Sequence, residues 1–141
     1  MRIDLRRLRP AEALALPAGV LLAAALFAPW FEEAGRREDA WQAVTVAAVP
    51  AALAALAALA LAAATVTQRS PALPLACAVC TTLLGLLASM LVAIFAAATP
   101  AGASGRCYGL WLGLAGALAV LVTAWFSLRD ERPFWGVPVS R

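Results

Sequence analysis

Residues 72–99 read ALPLACAVCTTLLGLLASMLVAIFAAAT, an apolar run without a single Asp, Glu or Arg. A helix that crosses roughly 30 Å of hydrocarbon needs about 20 such residues, because each adds about 1.5 Å along the axis. The run exceeds that requirement and predicts a transmembrane helix, somewhat long and therefore tilted. Outward from it lie three more runs of the same kind, 13–31 and 43–66 on the N-terminal side and 109–127 on the C-terminal side, none with an ionisable carboxylate or guanidinium. The segments between them, 32–42, 67–71 and 100–108, are too short to hold a second folded domain. Short connections make consecutive helices antiparallel neighbours. The expected fold is an all-α membrane protein, one domain over residues 1–141 with four transmembrane helices in an up-down-up-down bundle.

Composition agrees with that reading. Hydrophobic residues make up 64% of the 141, charged residues 13%, and the mean hydropathy is +0.86, values outside the range of soluble globular domains. The net charge of +3 comes from 11 Arg and no Lys. Those Arg residues flank the apolar runs, so they read as topology signals and predict no nucleic-acid partner. With the N-terminus inside, Arg2, Arg6, Arg7, Arg9, Arg69, Arg129, Arg132 and Arg141 face the cytoplasm, against Arg36, Arg37 and Arg106 outside. Eight against three places both termini in the cytoplasm of a plasma-membrane protein. The Arg-rich start also has the look of a secretory signal, but its apolar run is longer than a signal core and three more runs follow, so it is expected to stay as the first helix.

Aromatic residues stand at the ends of the runs. Trp30, Trp41, Tyr108 and Trp111 are expected at the outer headgroup level and Trp125 at the inner one, as interfacial anchors. Phe134, Trp135 and Val137 are expected to dock on the inner surface.

Helices in lipid associate by close backbone approach, so small residues at every fourth position are the packing signal. Cys77, Thr81, Gly85 and Ser89, continued by Ala93 and Ala97, form one such stripe on the third run, and Gly109, Gly113 and Ala117 another on the fourth. These two helices are expected to pack along them. The first run offers Ala15, Gly19 and Ala23 and the second Ala47, Ala51 and Ala55, a spacing that chance also produces in Ala-rich helices. Pro17 and Pro50 each remove a backbone hydrogen bond and predict bends.

Chemistry-bearing groups are sparse. Cys77 and Cys80 make a C-x-x-C pair, the spacing of a redox couple, but Cys107 belongs to the opposite side of the membrane and a thiol in an apolar setting is a poor nucleophile. The packing role is preferred for Cys77 and Cys80. Glu12 invites comparison with small multidrug transporters, which use a Glu in their first span. Following Pro10 and Arg9, it suits the positive end of a helix better. There is no His, no phosphate-binding loop and no metal-ligand cluster, so neither cofactor nor metal is expected and most enzyme classes are set aside.

The succession Pro29-Trp30-Phe31, Arg69-Ser70-Pro71-Ala72-Leu73-Pro74, Tyr108-Gly109-Leu110-Trp111-Leu112-Gly113-Leu114 and Ser127-Leu128-Arg129-Asp130-Glu131-Arg132-Pro133 resembles a family of small uncharacterised membrane proteins of actinobacteria. That resemblance implies the four-span topology and brings no activity with it. The functional expectation is a structural, assembly or accessory subunit, partnered by the lipid bilayer and by copies of itself or another membrane protein. The alternative is a small oligomeric transporter or channel, whose polar path would draw on Thr81, Thr82, Ser89, Thr123, the backbone at the Pro17 and Pro50 bends or the charged outer loop.

Overall fold

A computed structural model describes residues 10–67 and 72–130, with side chains over 13–65 and 75–129. The chain runs α1 (Pro10–Ala25), β1 (Pro29–Glu33), β2 (Arg36–Asp39), α2 (Ala40–Ala43), α3 (Thr45–Thr67), α4 (Ala72–Ala97), β3 (Ala103–Arg106) and α5 (Tyr108–Asp130). Over Thr45–Thr65, Leu75–Ala97 and Tyr108–Arg129, three of these helices are long and apolar enough to cross a membrane, and Ala13–Ala25 forms a shorter apolar helix.

The four long helices pack as a ring, α1 on α3, α3 on α4, α4 on α5 and α5 back on α1. Alanine makes this possible. On α3 the residues Ala47, Ala51, Ala54, Ala58 and Leu61 recur at three- and four-residue intervals and are fully buried, which defines one face of a helix. Val46, Val49, Leu53 and Leu56 point outward. A helix face of methyl groups lets neighbouring backbones approach closely, so the Ala47, Ala51, Ala55 spacing is a packing surface and not a chance of composition. Both α1 and α3 continue through their internal Pro17 and Pro50.

The first run departs from expectation. An apolar count over 13–31 predicts a helix to Phe31, but α1 ends at Ala25 and Pro29–Glu33 is a strand. Pro29 supplies the reason, since it cannot donate to a helical ladder and pushes the residue before it out of the α region. The segments expected as plain loops form a three-stranded antiparallel sheet, ordered β2-β1-β3. Ala34 and Gly35 make the two-residue turn between β1 and β2, with φ of 49° and 76°. Positive φ at both positions is the condition for a type I′ hairpin, whose twist matches that of the strands it joins.

Candidate functional site

The sheet closes one end of the helix ring, and it is tied there by backbone. The Cys107 amide donates to the Trp30 carbonyl at 2.8 Å and the Ala40 amide to the Leu26 carbonyl at 3.3 Å. The Ser104 hydroxyl donates to the Glu32 carbonyl at 2.9 Å, and the Arg106 guanidinium reaches the Ala97 carbonyl at the end of α4, 3.0 Å away. That last bond satisfies an otherwise open helix-terminal carbonyl and places a cation at the negative end of the dipole. Asp39 caps α2 by accepting from the Gln42 amide at 2.9 Å. β1 and β2 face each other with opposite charges, Glu32 against Arg37 and Glu33 against Arg36, an arrangement that favours this register over its slips.

Trp30 is the centre of this end. Sequence position suggests a headgroup anchor, but the indole is 0% exposed. The cause is a bulge in β1 between Pro29 and Phe31. A bulge re-aims a side chain that simple alternation would turn outward, and here Trp30 and Phe31 are buried in succession. The Trp30 Nε1 donates to the Ala25 carbonyl at 2.7 Å, which caps the last turn of α1. Its ring lies where a side chain on Gly113 would have to go, since a Cβ there would stand 2.6 Å from the Trp30 Cζ2.

This changes the assignment of the glycine stripe on α5. Gly109 and Gly113 were expected to seat α4. Instead Gly109 lies against Ala28 and the Pro29 carbonyl, Gly113 against Trp30, and Gly116 against the backbone of Leu22 in α1. The stripe serves the first helix and its strand: Gly113 leaves the volume that the indole fills, while Gly109 and Gly116 let the Ala28–Pro29 segment and Leu22 approach. The contact of α4 with α5 runs through Gly85, whose Cβ position is 3.2 Å from the Leu121 backbone, and buried Thr81 and Ser89 lie on the same helix as Gly85. Ala117 is fully buried, whereas Ala93 and Ala97 at the end of the α4 stripe are exposed. Every fourth residue advances about 400°, so a long stripe winds off the face where it began.

The other expected sites fall as follows. Trp41 is half-buried, with its ring tilted 45° to that of Phe27 at 6.5 Å and its Nε1 enclosed without a hydrogen-bond partner. Tyr108, Trp111 and Trp125 project outward along α5. Cys77 turns partly inward beside a small cluster of Ala15, Leu61 and Ala78, while Cys80 is exposed; both are free thiols, as is the partly exposed Cys107. The pair does not share an inward-facing site. The hydroxyls of Thr81, Thr82, Ser89 and Thr123 donate to Cys77, Ala78, Gly85 and Ala119 carbonyls, each on its own helix at 2.7–2.8 Å. Among the described residues no group of three or more His, Cys, Asp or Glu is placed to hold a metal ion. The Glu12 side chain, the N-terminal Arg residues, Arg69, Arg132, Arg141, Phe134, Trp135 and Val137 lie outside the described residues.

Sequence reasoning missed the sheet and the role of Trp30. The available signal was the pattern Glu32-Glu33-Ala34-Gly35-Arg36-Arg37, two acids and two bases mirrored about a small pair, which is the charge pattern of a tight hairpin. Comparison of the chain with protein-family models, with curated proteins and with solved structures finds no match.

Proposed function

We propose that this chain crosses the plasma membrane four times in alternating directions with both termini in the cytoplasm, and that it acts there without catalysis as an assembly or accessory subunit. The observation that carries the reading is the contrast between a charged sheet, held on one end of the helices, and intramembrane hydroxyls that are each bonded within their own helix. The sheet joins the C-terminal ends of α1 and α4 to the N-terminal ends of α2 and α5, which supports the alternating directions. The Arg asymmetry supports the orientation, with the sheet outside. In this reading the helices are a frame and the sheet is the surface offered to another membrane protein or to a second copy.

The test is crosslinking through Cys107 in intact membranes, followed by mass spectrometry and sizing in lipid nanodiscs. A crosslinked homodimer or one recurrent membrane protein is expected. A monomer without a partner in nanodiscs overturns the assembly role. Labelling of Cys107 by an impermeant maleimide applied outside intact cells is expected, and labelling only after lysis overturns the orientation. The transporter alternative has less support, because a polar path through Thr81, Ser89 and Thr123 would require them to give up the bonds they already make. Liposome flux of ions or cationic dyes above background would revive it.

A further inference from the structure

A groove of about 460 Å³ runs between α4 and α5 at the end of the bundle away from the sheet, lined by Thr82, Leu86, Leu121, Val122, Trp125 and Phe126. The volume is within the range of small-molecule sites. The one hydroxyl in its wall, that of Thr82, is already bonded to the Ala78 carbonyl at 2.8 Å, so the groove offers its occupant only apolar contact along its length.

What distinguishes it from the ordinary lipid-facing surface is the residue that follows. Val122, Trp125 and Phe126 are 49%, 52% and 51% exposed and stand at positions i, i+3 and i+4 of α5. Arg129 is i+7 of the same series, exposed, and in the last turn of the helix. These four residues share one face. Arg129 is about 10 Å along the axis from Val122 at roughly 1.5 Å per residue. It closes the apolar span Tyr108–Arg129, which in the membrane reading is the depth at which phospholipid phosphates lie. An apolar trough followed, one turn on along the same helix face, by an exposed Arg, with a tryptophan in its wall, matches an amphiphile with an anionic head.

We propose that this groove holds one acyl chain of an anionic phospholipid whose phosphate is bound by Arg129. The proposal rests on the membrane reading above. In that orientation the site opens to the cytoplasmic leaflet, where anionic lipids concentrate.

The full chain in mild detergent is titrated with equimolar phosphatidylglycerol and phosphatidylcholine of identical acyl chains and examined by native mass spectrometry. The wild type is expected to retain one phosphatidylglycerol in preference to phosphatidylcholine. Arg129→Gln is expected to reduce that preference about fivefold, the worth of one Arg beside an anionic surface, and Arg129→Lys to keep most of it. Val122→Phe fills an exposed position in the groove, does not threaten folding, and is expected to lower retention of both lipids. Equal retention of the two lipids by the wild type overturns the proposal, as does an unchanged preference in Arg129→Gln. A doubled mass without lipid that Val122→Phe abolishes assigns the groove to a second copy and overturns it. Retention seen only after removal of residues 131–141 assigns the groove to the chain itself and overturns it too. If the chain is recovered from the soluble fraction without detergent, the membrane reading has failed, and the failure is distinct from a membrane-extracted protein that ignores lipid charge.

Discussion

The two ends of the bundle are built by different means. At the sheet end a large side chain is enclosed against Gly113, its indole N–H is committed to Ala25, and four hydrogen bonds tie the strands, helix ends and their connections together. At the far end the buried cluster consists of Ala15, Leu61 and Ala78, with partly buried Cys77 and Leu128 beside it. The same helices thus enclose a bulky plug at one end and leave an open groove at the other. Alanine and glycine allow close approach, but they fill little volume. Where precision is required, the chain adds a tryptophan and backbone bonds; elsewhere it leaves large apolar side chains exposed.

Substitutions should separate the two ends by the size of their effects. The largest is expected from Trp30→Ala, which empties the plug and frees the Ala25 carbonyl; a loss of about 3–5 kcal/mol would appear as a lower midpoint in denaturant titration of the detergent-solubilised protein. Gly113→Ala comes next, at about 1–3 kcal/mol, because the ring it meets is enclosed and bonded and cannot swing away. A midpoint unchanged by Gly113→Ala would break the idea of a rigid plug. Ala34→Gly should stabilise the hairpin, since a left-handed residue with a Cβ costs roughly 1–2 kcal/mol and glycine escapes most of that. Slower amide exchange across β1 and β2 is the readout. Arg106→Gln gives up one exposed bond to Ala97 and is expected to cost about 0.5 kcal/mol, seen as faster exchange in the last turn of α4. Smallest of all, Leu83→Ala on an outward face of α4 should fall within about 0.5 kcal/mol of the parent. A large effect there would show that the exposed face is covered by protein.

Most of the helical framework can be read directly from the apolar runs. Runs 43–66, 72–99 and 109–127 correspond to α3 at Thr45–Thr67, α4 at Ala72–Ala97 and α5 at Tyr108–Asp130. Apolar length alone failed over 26–31, where Leu26 to Phe31 are as greasy as the helix before them but turn and extend. Hydropathy reports solvent preference and not backbone shape, and only Pro29 carries the conformational message. The glycine stripe on α5 was visible as a stripe, yet its partner was not. Close approach is a property of one helix surface, while the choice of neighbour depends on a bulge in β1, about eighty residues earlier in the chain. Trp30 shows the same limit: a tryptophan at the end of an apolar run has the same sequence signature whether it faces headgroups or fills a core.

In the four-span reading proposed above, the early end of α1 has a consequence for the bilayer itself. Its 16 residues extend about 24 Å, whereas the 26 of α4 extend about 39 Å at roughly 1.5 Å per residue. Both helices finish under the same sheet, whose open edges have unpaired backbone groups and are excluded from hydrocarbon. Tilting α4 by about 40°, the upper end of what transmembrane helices adopt, still leaves it near 30 Å. Over the described residues α4 is therefore the longer of the two even when tilted. If α1 is the fourth crossing proposed above, a membrane that wets both helices has to thin beside it, and the protein would then respond to the thickness of its bilayer.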